Sequence, residues 1–259
     1  MASPWRFDDA LAREVVAAAG TSLDAPVDEI GTAMLRWIPT GSTAKAQAVA
    51  AGELPPGLDP AAIAEQLLAG SAHSWTCWPA ATITAAVLHA AGHDAEVVAE
   101  LRTDPGSPPI DVHAAVVADG HWHVDPCLGP GLGLDLRAGD TRSGPSAVAE
   151  LVPAEDGTFR HLVRGPRFRL RYVSLNAQVS RRDLHALLEL SVTHTGVRSD
   201  RRFWQLGLED GMVGITEPEG VPTRRRWRRA GEAWMQLEQL EGDFDELVAG
   251  ALALRPRST

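Results

Sequence analysis

The hydrophobic period of this chain changes at Gly92-His93-Asp94, and that change limits what it can fold into. Before it, apolar residues recur at helical spacing over Phe7–Ala19, Pro26–Trp37, Pro60–Leu68 and Ala80–Ala91. Asp59 before Pro60 is an N-cap followed by a proline at the first helical position, and Gly20, Gly70 and Gly92 stop three of the four runs. After it, apolar residues alternate. Strands are predicted over Glu96–Arg102, Val112–Val117, Trp122–Asp125, Ala147–Val152, Phe159–Val163 and Phe168–Leu175. A helix over Arg181–Val192, a hairpin of Phe203–Leu208 with Met212–Thr216, and a final helix over Glu232–Leu252 complete the reading. Helices followed by a run of antiparallel strands make the fold class α+β.

The chemistry lies on both sides of the switch. Cys77 opens the last helical run, in Trp75-Thr76-Cys77-Trp78-Pro79. A thiol there meets the positive end of the helix dipole, which favours the nucleophilic thiolate. His113 begins the strand Val112–Val117; Asp119-Gly120 turns the chain, and Trp122-His123-Val124-Asp125 returns. Strands joined by so short a turn are neighbours, so Asp125 can orient the His113 imidazole and the imidazole can take the proton of Cys77. Nucleophile, base and acid in that order describe a Cys-His-Asp triad. A metal site drawing on Cys77, His113, His121, His123 and Cys127 is a rival use of the same side chains, but no closed zinc spacing is present and none is predicted.

Charge and cysteine content narrow the partners. Two cysteines, Cys77 and Cys127, are too few for a disulfide framework. No apolar run approaches the ~20 residues of a membrane span, and the first residues lack the apolar core of a signal peptide, so a cytoplasmic protein with no membrane partner is expected. Residues 1–159 carry 7 basic and 21 acidic side chains, and residues 160–259 carry 17 and 13. The acidic bulk argues against nucleic acid. The densest basic cluster is Arg224-Arg225-Arg226-Trp227-Arg228-Arg229. Arg224, Arg226 and Arg228 alternate onto one strand face and are the expected cofactor-binding cations for an anionic donor.

These motifs resemble those of the arylamine N-acetyltransferases and, more broadly, the transglutaminase-like cysteine enzymes. Ala86-Val87-Leu88-His89-Ala90-Ala91-Gly92-His93-Asp94 is similar to that family's AVLRALGFD stretch, and Val124-Asp125-Pro126-Cys127-Leu128-Gly129 to its VDVGFG. The family's RGGxCFExN motif falls on His73 to Ala81, where the cysteine and a following aromatic remain and the Arg, both Gly, Glu and Asn do not. The resemblance implies a helical bundle over 1–91 carrying the nucleophile, a central antiparallel β-barrel or sheet over 92–178 carrying His113 and Asp125, and a C-terminal α/β lid over 179–259. It also implies Trp75, Trp78, Cys127 and Leu128 as substrate-binding positions. Trp75 stands where the family has glycine, and Leu128 where it has the phenylalanine that lines the acceptor pocket.

The expected function is acyl transfer from a CoA or phosphopantetheine thioester, the latter on an acyl carrier protein, to an amine or hydroxyl acceptor, in specialised metabolism. No tightly bound cofactor is needed. The alternatives are a cysteine hydrolase or peptidase using the same triad, and a catalytically inactive binding protein on the same fold.

Overall fold

The computed structural model describes residues 5–53, 59–104, 112–128, 131–155, 158–166, 168–178, 182–183, 186–187 and 202–255. Five helices precede the main sheet: α1 (Asp9–Ala19), α2 (Val27–Trp37), α3 (Thr43–Ala50), α4 (Pro60–Leu68) and α5 (Cys77–Ala90). Asp8 caps α1 by accepting from the Leu11 N–H, and Asp59 caps α4 by accepting from Ala61 and Ala62. α3 is not among the helices that spacing predicts, because it buries only Ala44, Lys45 and Ala48 and shows no clear apolar stripe.

α5 is the centre of the molecule. Trp78 through Leu88 are all buried, so the helix is apolar on every side rather than amphipathic. Its small residues let it pack against the sheet while α1, α2 and α4 pack on it from the other side. At its end, the His93 N–H bonds the Leu88 carbonyl and the Gly92 N–H bonds that of His89, with Gly92 at φ 91°. Glycine tolerates this left-handed turn, which delivers the chain directly into the first long strand.

The larger sheet has eight strands: β2 (Ala95–Arg102), β3 (Val112–Ala118), β4 (Trp122–Val124), β5 (Leu134–Asp135), β6 (Asp140–Ser143), β7 (Val148–Pro153), β8 (Phe159–Arg164) and β9 (Arg169–Gln178). Their order is β5-β4-β3-β2-β9-β8-β7-β6, and every pairing is antiparallel. β5 also touches β6 and β7, so the two ends approach and the sheet nearly closes into a barrel. The β3–β4 turn places Asp119 at φ 52° and Gly120 at φ 69°, the pair of positive φ values that a tight hairpin needs.

The second sheet has five strands in the order β1 (Thr40–Gly41), β10 (Trp204–Gly207), β11 (Gly211–Thr216), β12 (Thr223–Ala230) and β13 (Ala233–Glu241). Helix α6 (Phe244–Leu252) covers it, packing Phe244, Leu247, Val248 and Ala251 on Trp204, Leu206, Val213 and Ile215. This corrects the single helix expected over Glu232–Leu252. Its first half is strand β13, paired with β12 along its length, and the helix begins only where Asp243 caps it. Ladder pairing outweighs the helical propensity of Met235–Glu241. Of the helix expected over Arg181–Val192, only Arg182, Asp183, Ala186 and Leu187 are described, and they are helical. Among the described residues, no helix is long and apolar enough to cross a membrane.

Candidate active site

Cys77 is the first residue of α5, and the loop that delivers it is held from two sides. The Gly41 N–H donates to the Trp75 carbonyl at 2.8 Å, and the Trp75 N–H donates to that of Pro39 at 2.9 Å. Ser74 Oγ donates to the Phe203 carbonyl at 2.9 Å, while the Ser74 N–H donates to Thr43 Oγ1 at 2.7 Å. Gly41 permits this crossing, since a Cβ there would collide with the Phe203 carbonyl oxygen and Ser74 Oγ. Thr76, the N-cap residue, is extended and makes no side-chain cap bond. The first-turn N–H groups of α5 are therefore not taken by a side chain of their own N-cap. Pro79, in that first turn, lacks an N–H that the helix does not need there.

His113, near the start of β3, and Asp125, one residue beyond β4, meet as the hairpin requires. His113 Nε2 lies 2.9 Å from Asp125 Oδ2. The other carboxylate oxygen accepts the N–H groups of Cys127 at 2.8 Å and Leu128 at 3.0 Å. Asp125 is fully buried. Burial opposes its charge, but His113, then His161 and the Leu128 N–H, outweigh it and bring the carboxyl down to about 2. Burial also opposes a charge on His113. The Asp125 carboxylate, the Cys77 sulfur and Tyr172 reverse this and hold the imidazole well above its usual range. Tyr172 of β9 stacks on the His113 ring with centroids 4.9 Å apart. The loop after Asp125 is itself anchored, because Gln205 Nε2 of β10 donates to the Cys127 carbonyl at 2.9 Å.

Cys77 and His113 line one open cleft of about 760 Å³, counted out to solvent. Trp75, Cys127 and Leu128 line it with them, as do Lys45, Arg102, Phe203 and Gln205. Burial pushes the Cys127 thiol well up, and the neighbouring Cys77 and Asp125 add to that. Trp78 is placed differently from the expectation: at 1% exposure it packs in the main core and does not line the cleft. The inward face of an all-round buried helix claims its ring. Tyr172, Gln205, Lys45 and Arg102 carried no sequence signal, because each comes from an element far from the motifs and is selected only by folding.

A second hollow adjoins the cleft through Leu128, Leu170, Phe203 and Gln205 and continues to Met212, Arg225 and Trp227. Arg225 and Trp227 share the β12 face opposite to that of Arg224, Arg226 and Arg228. None of those three lines the cleft or the hollow. Arg224 pairs with Glu238 at 2.7 Å, Arg226 with Asp210 at 3.4 Å, and Arg228 is exposed. The five side chains of the rival metal reading are not gathered either. His121 sits in the β3–β4 turn with Nδ1 on the Asp119 carbonyl, and His123 points into the barrel, where it meets Glu100.

No protein-family model and no curated protein sequence matches the chain. Solved structures do. The arylamine N-acetyltransferase of Salmonella typhimurium superposes with a TM-score of 0.70 at 16% identity, over 93% of this chain and 89% of that one. The M. smegmatis arylamine N-acetyltransferase gives 0.68 at 16% identity, over 93% and 89%. An arylamine N-acetyltransferase from Bacillus cereus, described as having a unique Cys-His-Glu catalytic triad, gives 0.67 at 12% identity, over 89% and 92%. The fold is thus the one these acetyltransferases have, at 12–16% sequence identity.

Proposed function

We propose that this chain is a thiol acyltransferase acting through Cys77, His113 and Asp125. The observation that carries the reading is the buried His113–Asp125 pair at 2.9 Å, opening onto the same cleft as a cysteine at a helix N-terminus. With Nε2 committed to Asp125, Nδ1 is the nitrogen left to exchange a proton with Cys77. The Cys77 thiolate attacks the carbonyl carbon of a thioester. The tetrahedral oxyanion collapses, the donor thiol leaves with the proton held by His113, and an acyl-enzyme remains. An amine or hydroxyl acceptor then gives its proton to His113 as it attacks, and Cys77 is released. The Cys77 backbone N–H, at the start of α5 where Thr76 makes no side-chain cap bond, is the natural first donor to the oxyanion.

The adjoining hollow suits an extended donor. Its Leu128, Phe168, Phe203, Met212 and Trp227 surfaces can bury a pantetheine arm, and Arg225 can meet an anionic end. Arg225 thus takes the role expected of Arg224, Arg226 and Arg228. The likeness to arylamine N-acetyltransferases supports small-molecule acyl donors and amine acceptors, and both CoA and carrier-bound donors fit this reading. Trp75 and Leu128, both lining the cleft, favour an acceptor other than a flat arylamine.

Intact-mass spectrometry after incubation with a panel of acyl thioesters tests the reading. One acyl adduct, absent in Cys77→Ser and resolved by an added amine, is expected. Release by water at the same rate with and without amine would instead identify a hydrolase. No adduct from any CoA or pantetheine thioester would reject the acyltransferase reading.

A further inference from the structure

Inside the barrel, out of reach of the cleft, lies a second titratable cluster that the proposed reaction does not use. Glu100 of β2, His123 of β4 and His161 of β8 are each no more than 1% exposed. His123 Nε2 is 2.6 Å from Glu100 Oε1, and His161 Nδ1 is 3.0 Å from Glu100 Oε2. The rings of His123 and His161 touch edge to face, 4.5 Å between centroids. The remaining ring nitrogens, His123 Nδ1 and His161 Nε2, are buried and have no hydrogen-bond partner among the described residues.

Two histidines and a glutamate invite a metal, and their candidate ligand atoms lie within 4.8 Å of one another. The geometry favours protons instead. Two ligands of one tetrahedral ion, each about 2.0–2.2 Å from it, sit farther apart than the 2.6 Å between His123 and Glu100. Coordination through the facing nitrogens would also move each N–H to the partnerless side, whereas a ligating histidine almost always donates its other N–H to an acceptor. The same orphaned nitrogens fix the charge. A proton on either would be a buried donor with nothing to donate to, which is costly, while a bare ring nitrogen costs less. His123 is therefore the Nε2–H tautomer and His161 the Nδ1–H tautomer. Both donate to an ionised Glu100, and the cluster carries one net negative charge.

That charge is next door to the proposed base. Glu100 is the cross-strand partner of His113 in the β2–β3 ladder, and directly paired side chains lie on one face with Cβ atoms about 5 Å apart. A column of rings links the two groups as well: His161 pairs with Tyr172 across β8–β9, and Tyr172 stacks on His113. We propose that Glu100, held by His123 and His161, is a positioning group whose buried negative charge keeps His113 protonated opposite Cys77. It acts alongside the other groups around His113, namely Asp125 and Cys127 from the loop after β4, Cys77 from α5, Tyr172 from β9 and the cations Lys45 from α3 and Arg102 from β2 that line the same cleft. Asp125, Cys77 and Tyr172 already raise the affinity of His113 for its proton against the cost of burial. Glu100 is itself held well below its usual carboxylate range, its two histidines outweighing the cost of burial, so the carboxylate is ionised. The inference rests on the triad reading of His113, but its test needs no acyl donor.

The test is a pH titration of the full-length protein by long-range 1H–15N spectroscopy of the imidazoles. In Glu100→Gln, which keeps the shape and removes the charge, the His113 midpoint should fall by about one unit. Glu100→Asp keeps the charge and should restore most of that shift. An unmoved midpoint, or an Asp variant behaving like the Gln variant, would overturn the proposal in favour of packing. Should Glu100→Gln fail to fold, the wild type decides. Protons on His123 Nε2 and His161 Nδ1 are expected across neutral pH. Protons on the opposite nitrogens, or one equivalent of zinc in the purified protein, would overturn the proposal. Failure of every thioester to acylate Cys77 would reject the acyltransferase reading and leave these imidazole results standing.

Discussion

Replacing Asp125 by asparagine separates charge from shape at the buried pair. Asp125 Oδ1 holds the N–H groups of Cys127 and Leu128, and Oδ2 faces His113 Nε2 at 2.9 Å. An asparagine must keep its carbonyl oxygen on the two N–H groups, so its NH2 group turns toward His113. Nε2 then has to accept, the ring proton moves to Nδ1, and the nitrogen that should take the Cys77 proton is occupied. A triad that loses its acid in this way loses roughly 10⁴-fold in rate. Stability should fall too. The Asp125 carboxyl at about 2 lies below its ordinary 3.8, which corresponds to about 2.5 kcal/mol of stability near neutral pH. The sign follows from a depressed acid. The contribution is fully present above the unfolded value near 3.8 and is lost as pH falls through it toward 2. Urea denaturation of the wild type from pH 7 to pH 2.5, compared with Asp125→Asn, measures this. Single-turnover acylation of Cys77 measures the rate. A variant that acylates within tenfold of wild type, or one with an unchanged acid-stability profile, would refute the argument.

Iodoacetamide at neutral pH should label Cys77 well ahead of Cys127, because burial and its neighbours push the Cys127 thiol up while Cys77 is partly exposed at the cleft; peptide mapping reads the order, and faster labelling of Cys127 would contradict it. Gly41→Ala should cost several kcal/mol on unfolding and slow acylation, since the added Cβ collides with the Phe203 carbonyl and Ser74 Oγ and must push the Cys77 loop aside; thermal melts and single-turnover rates report both. Gln205→Ala removes the bond to the Cys127 carbonyl and should lower stability by about 1 kcal/mol, with a larger relative effect on kcat than on KM because it loosens the loop that carries Asp125. Arg225→Ala should raise KM for a CoA donor, leave kcat nearly unchanged and flatten the salt dependence of KM; a salt-insensitive KM in the wild type would rule out this role before any variant is made.

Much of the site was readable in the chain because its parts are local. Cys77 at a helix start needs only a helix pattern and its first residue, and the His113–Asp125 meeting needs only two short strands and an Asp-Gly turn, with every partner inside thirteen residues. The helix-then-strand order gave the α+β class for the same reason: periodicity is a property of neighbours along the sequence. What the sequence could not decide depends on partners far away in the chain. Ala233–Glu241 is a strand because β12 lies beside it. Trp78 is a core residue because α5 is enclosed on all sides, and the arginine facing the hollow is Arg225 because β12 sits with that face toward it. Glu100, His123 and His161 stand on three strands separated by up to 61 positions. Barrel closure alone turns them inward and sets a buried charge beside His113, a juxtaposition that no spacing along the chain encodes.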